Sequence, residues 1–504
     1  MSMKLPSLLV AMLIYGLSSA GQAPQYINPL QLDAIAFNNR EPGRGHRSVA
    51  DPQVIFHKGK YYMAATGGGD AKGLFWVSDD MVNWSYHEPV ISDGTNFIAP
   101  HVIAVGDYIY LTGNHTGLYR SKNIMGPYEK YGDFIRPGGE VLKCFDPALF
   151  MDTDGKVYVY YSGGAERGIY GAELDKNDIR KLVNEPAHFF AYNPAHAWEN
   201  QGSFNEYTHV SWIEGPYMTK HNDTYYLQYS APGTDMKTYA VGVYRSKYPL
   251  GPFTYDETSP VLKNKGGLIN GTGHHSIING PDGSLWCFYT MLVNNWHFFE
   301  RRIAMDHVTF DKEGHMVIIG PTETPQMAPG FNKDLKKNQT GSIPLSVDKL
   351  KTNVSSHTPG RGPEYAIDNY LRTWWQADST DAKPWLEIDL RAHIGIDPVR
   401  FAKQSFNVDG FRIIFAEGGY RGKRGITSSL GYQYKIDVSD DGKQYRNVVD
   451  KSANKTDRAI EFDRIAATQA KFVKLTILNK PPNTDVSILE FTVFGQALIP
   501  PPKL

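Results

Sequence analysis

The sequence predicts an all-β chain, a five-bladed β-propeller followed by a β-sandwich or jelly roll. Three observations predict it. One strand–turn–strand signature recurs five times in the first three hundred residues. Helical periodicity is nearly absent throughout. Near residue 332 the texture changes, and a second series of short strands begins.

The first signature is Asp51-Pro52-Gln53-Val54-Ile55, a turn at His57-Lys58-Gly59-Lys60, and Tyr61-Tyr62-Met63-Ala64-Ala65. The second runs from Ala99-Pro100-His101-Val102-Ile103 through Gly106-Asp107 to Tyr108-Ile109-Tyr110-Leu111. The third runs from Asp146-Pro147-Ala148-Leu149-Phe150 through Asp154-Gly155 to Val157-Tyr158-Val159-Tyr160-Tyr161. The fourth opens at Glu214-Gly215-Pro216-Tyr217-Met218 and returns at Tyr225-Tyr226-Leu227. The fifth opens at Gly273-His274-His275-Ser276-Ile277 and returns at Leu285-Trp286-Cys287-Phe288. The turns carry the Gly, Asp or Asn that a hairpin needs for a left-handed residue. The copies start roughly 45 to 70 residues apart, near the period of four-stranded propeller blades. If the first strand of each lines a central channel, Asp51, Asp146, Glu214 and His274 converge at its mouth.

Between the hairpins lie outer strands such as Leu74-Phe75-Trp76-Val77, and a repeated turn, Gly126-Pro127-Tyr128 and Gly251-Pro252-Phe253. The longest interruption, residues 181–210, holds Phe189, Phe190, Tyr192, His196, Trp198, Phe204 and Tyr207. A loop of that length is uncommon unless functional. It is expected to wall the pocket or to pack on the surface around a small core of its own. Residues 331–344 read as a polar linker. Residues 345–497 then alternate with period two at Trp385–Leu390, Phe411–Phe415, Tyr434–Val438, Phe472–Ile477 and Leu489–Phe494.

Residues 1–23 read as a signal peptide. Lys4 precedes an apolar stretch from Leu8 to Leu17 and small-residue cleavage candidates, and the stretch is short for a membrane span. The expected location is periplasmic or secreted, with no membrane span. The propeller is expected over 24–330. The formal net charge is −1, so no basic excess points to nucleic acid. Cys144 and Cys287 fall in or beside strands and are expected to be small buried residues rather than a disulfide.

Glycoside hydrolysis needs two carboxyl groups, one kept protonated and one kept ionised. Three acids at the heads of inner strands supply both, with a third to tune them. One Asp-Pro alone is a common turn dipeptide; its recurrence in register with a five-fold repeat is what points to a site. Val49-Ala50-Asp51-Pro52, Cys144-Phe145-Asp146-Pro147, Trp212-Ile213-Glu214-Gly215-Pro216 and Gly271-Thr272-Gly273-His274 resemble glycoside hydrolase family 43 over about residues 45–325. That resemblance implies a five-bladed propeller that hydrolyses with inversion, with Asp51 as general base, Glu214 as general acid and Asp146 tuning and orienting the acid. It implies a channel cation, commonly calcium, held largely through water near His274. It implies a sugar-binding Arg301, with Arg302 the adjacent alternative. His275 follows His274 directly, and strand alternation allows only one ring to face the channel. The fructan-cleaving clan shares the propeller, but its Asn-Asp-Pro-Asn and Glu-Cys motifs are absent.

In the second domain, Ala366-Ile367-Asp368-Asn369, Thr373-Trp374-Trp375, Trp385–Leu390 and Leu489–Gly495 resemble the discoidin family, galactose-binding-like jelly rolls. Trp374 and Trp385 are expected in its core. The basic loop Gly418–Gly425 is expected to be solvated, with an anionic glycan as the alternative. The expected function is that of an exported, exo-acting inverting hydrolase. It would remove terminal α-L-arabinofuranosyl units from plant cell-wall polysaccharides, with a β-D-xylosidase as the alternative. A non-catalytic glycan-binding protein is the rival of another class.

Overall fold

The computed structural model describes residues 24–33, 37–38, 46–67, 74–293, 295–331, 340–393, 404–418 and 431–498. The expected signal segment, residues 332–339 of the linker and the basic loop beyond Gly418 lie outside the described residues. No helix among the described residues is long and apolar enough to cross a membrane.

Five sheets follow one another along the chain, antiparallel but for one short parallel pairing of Phe134–Ile135 with Asp178–Leu182. Blade I is Val49–His57, Lys60–Gly67, Leu74–Ser78 and Ser85–His87; blade II is His101–Val105, Tyr108–Thr112, Leu118–Ser121 and Glu129–Gly132. Blade III is Phe145–Met151, Val157–Ser162, Ile169–Asp175 and Asp178–Leu182, widened by Phe134–Ile135, Val141–Leu142 and Ala187–Phe190. Blade IV is Glu214–His221, Thr224–Ala231, Ala240–Ser246 and Thr254–Tyr255; blade V is Asn270–Asn279, Leu285–Leu292, Arg301–Phe310 and Met316–Ile318. First strands of successive blades touch around the ring, and blade V's Asn270–Asn279 meets blade I's Val49–His57 to close it. Apolar side chains fill the gaps between blades. Phe75 and Ala64 of blade I pack with Val102, Leu111 and Tyr119 of blade II, for example.

One backbone device repeats at the channel mouth. Asp51, Ala99, Asp146, Gly215 and His274 all have positive φ, between 39° and 55°. Four of the five first strands carry a bulge there, at Ala50/Gln53, Phe145/Ala148, Glu214/Tyr217 and Gly273/His275. Pro52, Pro147 and Pro216 fall inside the skipped pairs, where no N–H is needed for the ladder. The N–H of each left-handed residue donates to a side chain of the preceding blade or the loop that follows its strands. Asp51 donates to Thr290 (2.8 Å), Ala99 to Thr66 (2.6 Å), Asp146 to Asn114 (2.5 Å), Gly215 to Asp146 (3.1 Å) and His274 to Ser230 (2.9 Å). Left-handed backbone is costly for residues with a Cβ, and these cross-blade bonds hold it in place.

The C-terminal residues form two five-stranded sheets. One contains Ile343–Pro344, Ser487–Ala497, Phe406–Phe415, Ile460–Ala470 and Trp375–Gln376. The other contains Leu350–Val354, Trp385–His393, Phe472–Asn479, Gln433–Ser439 and Arg446–Asp450. Phe411, Ile413 and Phe491 of the first share one core with Leu386, Ile388, Tyr434, Ile436 and Val473 of the second. Trp374 is buried, but against blade V in the seam between the two parts of the chain and not in the sandwich core. Trp385 is not in the core. Leu386, Ile388 and Leu390 of its strand turn inward, so Trp385, Glu387 and Asp389 turn outward. The Lys474 ammonium caps the Trp385 ring at 4.0 Å.

The two parts of the chain are joined by a buried seam. Leu371, Trp374, Ile414, Ala416, Ile460 and Leu489 belong to the same apolar cluster as Leu268, Ile269, Met291 and Val293 of blade V. Arg47, four residues before Asp51, pairs with Glu417 (2.6 Å) and Asp457 (2.5 Å), all three nearly sealed from solvent. Arg412 donates to the Asn28 carbonyl (2.9 Å). Cys144 and Cys287 are free and buried.

Candidate active site

Asp51, Asp146, Glu214, His274 and Arg301 line one pocket of about 480 Å³ at the channel mouth. They come from four blades, separated by up to 250 residues, and the bulges aim them at the axis. Glu214 stands one residue before the left-handed position that Asp51 and Asp146 occupy. That position in blade IV is Gly215, and a Cβ there would lie 3.1 Å from His274 Cγ. Glycine there lets His274 sit beside the acids without being pushed aside.

The His274 Nδ1 atom lies 3.5 Å from Asp51 Oδ1 and 3.5 Å from Asp146 Oδ2. Arg301 Nη1 lies 3.4 Å from Asp51 Oδ1 and donates to Thr234 Oγ1 at 3.0 Å. Tyr239 donates its hydroxyl to Glu214 Oε1 at 2.8 Å. Arg302 points away from the pocket. It lies 3.6 Å from Glu300 and 3.9 Å from Glu417, and donates to the Arg47 carbonyl at 2.8 Å. Adjacent residues of one strand face opposite sides, so Arg301 alone of the pair reaches the site.

The carboxyl groups are driven apart electrostatically. Burial opposes ionisation of Asp51, yet the Arg301 charge, then His274 and the hydroxyls of Thr66 and Thr290, outweigh it and hold its pKa below the usual range. Burial raises Glu214 well above the usual range, and the charge of Asp146 adds to this; the Tyr239 hydroxyl opposes it. Asp146 is also raised, first by burial, with His274 opposing and Asp51 adding. One acid ready to donate thus stands near one carboxylate ready to accept, the pairing that hydrolysis of a glycosidic bond requires.

Alternation does not hold at the two histidines, because the bulge at 273–275 interrupts it. His274 joins the acids, while His275 is buried below them, 5.9 Å ring-to-ring from Tyr217. Tyr217 in turn lies 6.1 Å from the His101 ring. Those residues belong to blades V, IV and II, so the rings meet across the axis. Burial lowers both His101 and His275 to about 3, with His274 contributing. Both ring nitrogens of His275 are buried without a hydrogen-bond partner.

The residues missed in the sequence are the walls and the supports. Phe145 and Trp212 meet edge to face at 5.8 Å, and Phe299 lies 5.5 Å from the Arg301 guanidinium. Phe145 adjoins Asp146 and Trp212 precedes Glu214 by two, a spacing that could have flagged both. Tyr239 and Thr234 both lie in the loop between Thr224–Ala231 and Ala240–Ser246 of blade IV, with no local pattern to mark them. The 181–210 insertion reaches the pocket wall, as one expectation had it, but it has no separate core: its aromatics pack into the core shared by blades III and IV. Phe190 stacks on Tyr244 of blade IV at 3.9 Å and Trp198 donates to the Tyr255 hydroxyl of the same blade, while Gln201 lines the pocket.

The model of glycosyl hydrolases family 43 matches residues 45–316. The chain belongs to that family. It is a glycoside hydrolase, which removes the reading as a non-catalytic binding protein. Among its relatives is a β-D-galactofuranosidase, xynD, of Aspergillus niger, 25% identical over 54% of this chain and 83% of that one. Another is the extracellular endo-α-(1→5)-L-arabinanase 2 of Bacillus subtilis, 27% identical over 64% of this chain and 67% of its own length. A β-xylosidase of Xylanibacter ruminicola is 26% identical over 42% and 69%. A crystal structure of a thermostable family-43 glycoside hydrolase aligns with a TM-score of 0.50 at 26% identity, covering 61% of this chain and all of that one.

Proposed function

We propose that this family-43 enzyme is exported and removes terminal α-L-arabinofuranosyl units from plant polysaccharides by a single inverting displacement. The observation that carries the mechanism is the opposed pushing of Asp51 and Glu214 within one pocket. Asp51, ionised beside Arg301, takes a proton from water on one face of the sugar. Glu214, held protonated by burial and by Asp146, protonates the departing oxygen on the other. Asp146 accepts from the Gly215 N–H and so orients the strand that carries the acid. Arg301, steadied by Thr234, binds sugar hydroxyls near Asp51. Phe145 and Trp212 give the ring an apolar wall.

The second reading is a β-D-xylosidase, favoured by the relative of that name in Xylanibacter ruminicola. Export is supported by the leading apolar stretch and by the relative named extracellular. The C-terminal sandwich is read as a discoidin-type domain, on the motifs quoted above.

A calcium ion on the axis would be held largely through water. Among the described residues no three His, Cys, Asp or Glu side chains converge as a ligand set, and calcium prefers oxygen ligands. The orphaned ring nitrogens of His275, below His274, fit such a hydrated ion. A cation bound near His274 would supply positive charge that favours the ionised forms of Asp51 and Asp146.

The test is hydrolysis of aryl α-L-arabinofuranoside and β-D-xyloside, with the product anomer followed by NMR. Asp51→Ala and Glu214→Ala should each lose nearly all turnover while remaining folded. Retention of configuration, or near-full activity in either variant, would refute the assignment.

A further inference from the structure

The insertion builds a second cavity beside the first, of about 390 Å³. Gln201 and residues 233–235 face the active pocket; Phe204, Lys237 and Thr238 face the second cavity. The two cavities are opposite sides of one wall made from two loops. Thr238 ties the loops together by donating to the Gly202 carbonyl at 3.0 Å. The same wall carries Thr234, which holds Arg301, and Tyr239, which holds Glu214. The Gly271 N–H donates to the Lys237 carbonyl at 3.0 Å, fixing the wall to the head of blade V. A glycan whose end occupies the active pocket can continue over this wall within a few residues' reach, since Asp235 and Lys237 are two positions apart.

The second cavity has a chemistry of its own. Phe204 is 81% exposed and presents its ring at the edge of this cavity. The Lys237 ammonium lies 4.3 Å from its ring centroid. Lys263, exposed, adds a second ammonium to the lining; neither lysine has a carboxylate within 4.0 Å among the described residues, although the Lys237 charge reaches Glu206 and favours its ionised form. Glu206 lies nearby, and one of its oxygens is committed to the Phe204 N–H at 2.8 Å. An aromatic face flanked by two ammonium groups suits a sugar ring that offers a face of C–H bonds and bears a carboxylate.

We propose that this cavity is a subsite for a uronic acid unit on the same polysaccharide, its carboxylate between Lys237 and Lys263 and its apolar face on Phe204. The proposal rests on the reading of the enzyme as a hydrolase of side chains on plant polysaccharides, and it deepens that reading. The substrate would be an acidic, not a neutral, glycan.

The test compares wild type with Lys237→Met/Lys263→Met, its folding checked by thermal melting. Four substrates are used: an aryl arabinofuranoside, a neutral arabinoxylo-oligosaccharide, the same oligosaccharide bearing glucuronate, and an arabinan-bearing oligogalacturonide. At low salt the variant should lose about fivefold in kcat/KM on an acidic oligosaccharide, mostly through KM, as two exposed ion pairs allow. Activity on the aryl and neutral substrates should not change, and wild type should lose the same preference in 0.5 M salt at roughly the concentration where screening is complete. Whichever acidic substrate shows the effect identifies the uronate. Equal losses on neutral and acidic oligosaccharides, or no lysine dependence on either acidic one, overturn the proposal. If the enzyme cleaves none of the four, the proposed activity fails instead. The subsite is then judged by NMR titration with the glucuronate oligosaccharide: binding lost in the variant supports it, and absence of binding to wild type overturns it.

Discussion

Replacing Arg47 by methionine should destabilise the whole chain, not one domain. The guanidinium touches Glu417 and Asp457 at 2.6 and 2.5 Å, and all three side chains are at most 6% exposed. Each contact supplies about 4 kcal/mol of gross attraction at an effective dielectric near 20. Desolvation of each ion opposes it by several kcal/mol, so the intact cluster gains little. Burial indeed raises Glu417 despite the opposing charges of Arg47 and Arg302. Arg47→Met removes the attraction and leaves two carboxylates buried, which costs about 3–5 kcal/mol.

The sign with pH follows from Glu417. Its folded pKa is raised above the unfolded 4.5, so the native state holds the proton longer, and its contribution to stability falls as pH rises from that value. The Arg47→Met deficit should therefore be larger at pH 8 than at pH 5. Urea unfolding followed by tryptophan fluorescence measures it, with Arg47→Met/Glu417→Gln recovering about 1 kcal/mol or more. The shared cluster across the seam requires one transition for both parts. Two separate transitions, or a loss below about 1 kcal/mol, would show that the seam is a loose contact and not a joint.

Three further outcomes follow from the site. Tyr239→Phe removes a hydroxyl that favours ionised Glu214, so the alkaline limb of the pH–rate profile should move up. Asp146→Asn removes a charge that favours protonated Glu214, so the same limb should move down, with kcat reduced about tenfold or more by the lost orientation of the acid. Glu214→Gln should abolish turnover yet raise the melting temperature. The gain should grow as pH rises above 4.5, because the wild-type chain alone must keep that buried group protonated.

The propeller was legible because its signal repeats. One Asp-Pro means little, but five hairpins in register carry Asp51, Asp146 and Glu214 to the same end of a ring whatever the details of the blades. The fates of His275 and Trp385 were less legible. Alternation predicts Trp385 correctly only when the inward set, Leu386, Ile388 and Leu390, is taken as the reference; the tryptophan's own hydrophobicity points the wrong way. For His275, alternation itself fails, because a bulge inserts a residue and both rings face the axis. Tyr239 and Thr234 act through partners 25 and 67 residues away. Long-range contacts of that kind leave no local trace.

The bulges also explain why proline follows the acids. A first strand with unbroken pairing would send alternate side chains toward the neighbouring blades and leave none aimed up the channel. Proline removes the ladder donor at one position, the residue before it turns left-handed, and its N–H is freed to bond the preceding blade. In blades I and III that residue is the aspartate itself. In blade IV it is Gly215, and the N–H it frees reaches the Asp146 carboxylate instead of a hydroxyl or amide. The strand that carries Glu214 is thus registered on the Asp146 carboxylate, whose charge raises Glu214. Glu214 stands one residue back, with a side chain one methylene longer, and meets Tyr239 from the loop that leads into the third strand of its own blade. The opposed ionisation of Asp51 and Glu214 is therefore a product of backbone register: alanine at position 215 would press on His274 and shift the contacts of both acids together.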